Sequence, residues 1–209
     1  MLRSVFGKTL WEGRRALVWW SLGMLLLAMT ALGFYPSIKA SAADLQKLIQ
    51  GLPQGLRHLF LGNAPDFTSP AGYLNGRVFS TIAPILLLVY AVGAGARALA
   101  GEERGHTLDL LLSTPLPRRR LALEKLAAMA TGLFVLALVL WVALAALGPA
   151  FELDVSPGRV AAATFSSYLF ALALGAVALA VGGATGSRGS AIGIPTTLAA
   201  AGFLLVSLA

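Results

Sequence analysis

Three groups of residues in this sequence have types and spacings that could do chemistry, and each has a definite requirement to meet. Gly7-Lys8-Thr9 has the ending of a phosphate-cradling loop. That cradle needs a glycine five residues before Gly7 and a preceding strand; the position is Leu2 and no strand precedes it, so ATP binding in that manner is excluded. The run Gly182-Gly183-Ala184-Thr185-Gly186-Ser187-Arg188-Gly189 is glycine-rich, but it joins two apolar stretches and reads as a tight connection. His58 and His106 are far apart and outside every apolar stretch, so they read as polar loop residues rather than metal ligands. There is no cysteine, which removes disulfides, thiolate metal sites and thiol nucleophiles. A G-x-S-x-G nucleophile elbow is also missing from the sequence. No catalytic, cofactor-binding or metal-binding residue is expected, and the chain is not expected to be an enzyme.

The segment with the clearest chemistry is Gly101 to Arg120, and its chemistry is that of docking. Thr107 is placed to cap a short helix whose Leu108, Leu111 and Leu112 form one apolar face. Pro115 and Pro117 stop that helix, and Arg118, Arg119 and Arg120 return the chain to a membrane surface. Glu102, Glu103 and Asp109 present acid to whatever docks there.

The elements that must hold this segment are membrane spans. Of 209 residues, 57% are hydrophobic and only 12% charged, about half the charge of a typical soluble domain. Too few polar groups remain to cover a water-soluble surface, whereas lipid removes the conflict. Five apolar stretches are expected to span, at about 16–35, 79–95, 127–147, 161–181 and 191–208, each approaching or reaching the ~20 residues needed to cross the hydrocarbon. They predict a single domain over 1–209, with an extracytoplasmic loop at 36–78 and a cytoplasmic loop at 96–126. None of the five contains a charged residue, which disfavours an ion-coupled transporter with ionisable groups at membrane depth.

The net charge of +7 is spread between the stretches rather than gathered on one face, so no nucleic acid partner is expected. With the N-terminus inside, the cytoplasm receives Arg3, Lys8, Arg14, Arg15, Arg97, Arg104, Arg118, Arg119, Arg120, Lys125 and Arg188. Only Lys39, Lys47, Arg57, Arg77 and Arg159 fall outside, so the positive-inside rule predicts a cytoplasmic N-terminus. Leu2, Val5, Phe6, Thr9 and Leu10 recur at helical spacing, which fits an N-terminal helix lying along the interface or an extension of the first span. Leu45, Leu48, Ile49 and Leu52, then Leu56, Leu59 and Phe60, predict short amphipathic helices outside. Ala171, Gly175, Ala178 and Gly182 form a small-residue stripe that would allow close helix approach, or arise by chance in an alanine-rich span. Gly93 and Gly95 are expected to serve packing or bending of the second span.

The run E-E-x-G-x-T-L-D-L-L-L-S-T-P-x-x-R-R, over Glu102 to Arg119, resembles the signature loop of ABC-2-type ABC transporter permeases. Phe67 to Leu74 and Trp11 to Arg15 also resemble segments of that family. The resemblance implies an all-α membrane protein in the cell membrane: a permease subunit with a cytoplasmic coupling helix. It implies as partners a second permease copy or homologue and a separate ATPase subunit, on which ATP is bound, with no cofactor on this chain. Glu102, Glu103, Thr107, Leu108, Asp109 and Leu111 are then the candidate ATPase contacts, spans two and five line the path, and the direction is export. The family norm is six spans with both termini inside. Five here predicts either a continuation past Ala209 or a variant without the last span. The competing readings are a non-transporting membrane anchor or assembly protein and an ion-coupled secondary transporter.

Overall fold

The computed structural model describes residues 5–50, 69–98 and 117–208, and every regular element among them is helical. Helix α1 is Val5–Gln50. A short helix α2, Pro70–Leu74, passes through one π-helical turn, Asn75–Phe79, into α3, Ile82–Ala98. Helix α4 is Arg118–Leu147, α5 is Pro157–Thr185 and α6 is Arg188–Leu208.

Among the described residues, four helical stretches are long and apolar enough to cross a membrane: Val5–Ser41, Pro70–Ala98, Arg119–Phe151 and Pro157–Thr185. The fifth apolar stretch also folds as a helix, α6, of 21 residues. It starts on Arg188 and is interrupted by Pro195, whose side chain is fully buried.

Helix α1 is unbroken for 46 residues, about 69 Å at 1.5 Å per residue, roughly twice the hydrocarbon thickness. Val5, Phe6, Thr9 and Leu10 of the N-terminal stripe are therefore the opening turns of the same helix as the first span, while Leu2 lies outside the described residues. At its other end α1 runs through Pro36, where one intrahelical hydrogen bond is lost, rather than stopping there. Leu45, Leu48 and Ile49 belong to its last turns. Leu52, Leu56, Leu59 and Phe60 lie outside the described residues.

The bundle is built from two pairs, α1 with α4 and α3 with α5, and α6 packs on α5 and α3. Met24, Ala28, Ala31, Leu32 and Tyr35 bury one face of α1, while Leu133, Leu136, Leu140 and Leu144 bury one face of α4. The opposite faces are apolar too. Val18, Leu22 and Leu26 on α1, Leu138 and Val142 on α4, and Phe165 and Leu169 on α5 are all exposed. A helix that is apolar all round belongs in lipid.

The α3–α5 pair is the tightest. Gly95 lies directly on the backbone carbonyl of Gly175, and a Cβ on Gly175 would come within 2.9 Å of that of Ala91. Ala171, Gly175, Ala178 and Gly182 are all buried, so the small-residue stripe is a packing face. Gly93 has nothing within 4 Å of where its Cβ would be. Helix α5 ends at Gly186, whose φ of 62° is the left-handed value glycine adopts without strain. Within the glycine-rich run only Gly186 and Ser187 lie between the two helices, as a tight turn into α6.

Candidate transport groove and the base of the coupling segment

The proposed ATPase contacts, Glu102, Glu103, Thr107, Leu108, Asp109 and Leu111, lie outside the described residues. The two helix ends that carry the segment are described: α3 finishes at Ala98 and α4 begins at Arg118. The first turns of α4 are tied to α1. One carboxylate oxygen of Glu124 accepts the backbone N–H of Phe6 at 3.1 Å, and the other accepts Nε of Arg120 at 3.0 Å. The Phe6 amide is one of the unpaired donors at a helix start, where a carboxylate is favoured. These two contacts, the Phe6 amide first, hold the Glu124 carboxyl below the usual carboxylate range. Glu124 sits just before the uncharged stretch that begins at Ala127.

The opposite end of the bundle is fastened separately. Nζ of Lys39 donates to Oε2 of Glu152 at 2.7 Å, linking α1 to the turn between α4 and α5. The Lys39 ammonium holds the Glu152 carboxyl below its ordinary value. The Tyr73 hydroxyl donates to the carbonyl of Ala31 at 2.7 Å, and its ring lies 5.2 Å from that of Tyr35. Ser69 caps α2 by accepting the Gly72 N–H. Helix α2 and its π turn are thereby pinned against α1, which sets where α3 enters the membrane.

Between α3, α5 and α6 lies a groove of about 470 Å³. Ile85, Val89 and Val92 of α3, Phe170 of α5, and Ile192 and Phe203 of α6 supply most of its apolar wall. Ser80, Thr81 and Thr196 contribute hydroxyls, and every described residue lining it is uncharged. The groove thus joins the second and fifth apolar stretches, the two named above for the path. Neither Phe170 nor the Glu124 contact was singled out in the sequence. The only signal for Glu124 was a lone carboxylate just ahead of an uncharged run.

A family described as ABC-2 family transporter protein matches residues 3–209. This chain belongs to the ABC-2 transporter family. No curated protein and no solved structure was found to match it. Membership makes the ABC-2 chain a membrane component of transport that is not itself catalytic.

Proposed function

We propose that the chain is the permease subunit of an ABC-2-type exporter, driven through its 96–126 loop by a separate ATPase subunit. The observation that carries this reading is mechanical. Helix α3 is both a wall of the groove and the helix from whose end the coupling segment departs, only three residues after Gly95. Because Gly95 is seated on Gly175, a displacement of α3 carries α5 and Phe170 with it. A push on Leu108 and Leu111 by the ATPase would reach the groove through one rigid pair. In this reading α6 is the fifth span, the N-terminus is cytoplasmic, and a second permease copy or homologue completes the path.

The mechanism is alternating access, in which ATP binding on the partner favours one of two bundle arrangements. The chain contributes no step of the hydrolysis. Its work is to convert closure of the partner into movement at the groove. The test is transport in vesicles containing the permease and its ATPase. Leu108→Asp with Leu111→Asp should leave hydrolysis running while transport stops; full transport by that variant would contradict the docking role.

A further inference from the structure

A second cavity, of about 400 Å³, lies among the first turns of α1, the last turns of α3 and the first turns of α4. Its charged lining is Arg97, Lys125 and Glu12. Sequence placed Lys125 in a solvated loop, yet it is only 4% exposed. Glu12 is also approached by Lys8 at 3.8 Å, so among the described residues cations outnumber carboxylates around the cavity. Tyr90 forms part of the wall and is 8% exposed. Its hydroxyl lies against Gly132 of α4.

The depth of the cavity says what could enter. Its walls straddle the places where charge gives way to uncharged helix, after Arg15 on α1 and after Lys125 on α4, while Arg97 marks the reverse boundary on α3. These boundaries correspond to headgroup depth. Basic pockets between membrane helices on the cytoplasmic side suit phosphate-bearing headgroups. A phosphate accepts charge-assisted hydrogen bonds from guanidinium and ammonium together. We propose that this cavity binds the phosphate of an anionic lipid headgroup, with Arg97 and Lys125 as its cationic contacts. Bound there, the lipid would bridge the three helices that carry the coupling segment. The assignment of the leaflet rests on the orientation proposed above; the binding itself does not.

Native mass spectrometry of the full chain in detergent tests it independently of transport. The probes are dioleoylphosphatidylglycerol, dioleoylphosphatidylcholine and inorganic phosphate. The expected result is retention of the anionic lipid about tenfold tighter than the zwitterionic one, a difference of ~1.4 kcal/mol. Arg97→Gln should remove that preference, and Arg188→Gln, at the start of α6, should keep it. Arg97→Gln carries the test should Lys125→Gln fail to fold. Equal retention of both lipids, or a preference that survives Arg97→Gln, overturns the proposal. Binding of inorganic phosphate that depends on Arg97, without lipid preference, assigns the cavity to a soluble phosphate and overturns the lipid source.

Discussion

Glu124 accepts the backbone N–H of Phe6 across 118 positions of sequence, at 3.1 Å, while its other oxygen is held by Arg120. The start of α1 is therefore fixed to the start of α4, beside the point where the coupling segment re-enters the bundle. Contacts that lower a carboxyl's pKa contribute stability above the unfolded pKa and lose it as pH falls through the folded one. The Phe6 contact should thus be intact at neutral pH and weaken below the ordinary carboxylate range, near 4.5. Hydrogen exchange at the first turn of α1, corrected for intrinsic rates, should rise through that acid window. Glu124→Gln should exchange faster at neutral pH and show little further acid dependence. Unaltered protection in that variant would count against the clamp.

Gly95 and Gly93 are two residues apart on α3 and predict opposite outcomes. A methyl at Gly95 strikes the backbone of Gly175, which has no side chain to move aside, whereas one at Gly93 meets open space. Gly95→Ala should destabilise the detergent-solubilised protein by roughly 1–3 kcal/mol, the usual cost of overpacking. Gly93→Ala should be neutral or slightly stabilising, since alanine is the better helix former. Thermal unfolding of the two variants side by side checks the pair.

Tyr73→Phe removes one hydroxyl and its hydrogen bond to the Ala31 carbonyl while keeping the ring contact with Tyr35. A buried hydrogen bond of this kind is worth about 1 kcal/mol. The expected result is a small fall in unfolding temperature with assembly preserved. A variant as stable as the parent would show that α2 is held by ring packing alone.

The groove gives a functional prediction that separates the path from the coupling. Val89→Trp places a large ring into a wall of the groove without adding charge. Transport in vesicles should fall several-fold while nucleotide hydrolysis by the associated ATPase continues. Loss of hydrolysis as well would place Val89 in assembly rather than in the path.

Much of this architecture was legible in the sequence because bilayer thickness imposes a length on apolar runs. The stretches at 127–147 and 161–181 lie within α4 and α5, which begin earlier, at Arg118 and Pro157. The stripe from Ala171 to Gly182 was readable as a packing face because small residues at three- and four-residue spacing share one side of a helix. What it packed against was not readable, since Gly95 is 80 positions away. The course of α1 beyond Pro36 was hidden for a different reason. Proline is a poor interior residue, but its cost is one hydrogen bond, and a long helix tolerates that. Lys125 reads as a loop cation by composition alone; its burial depends on α1 and α3 closing over it, which no local pattern records. The uncharged groove was foreseen only as two spans named by resemblance, and Phe170 on a third helix completes it.

The central claim is that the loop leaving α3 receives force from an ATPase. Affinity capture of the tagged chain from its native membranes in mild detergent, with mass spectrometry of what accompanies it, tests that directly. The account predicts an ATP-binding subunit in the parent sample and its loss when Leu108 and Leu111 are both replaced by Asp. An intact, folded chain recovered without any ATP-binding subunit, or one retained equally by the variant, would contradict it.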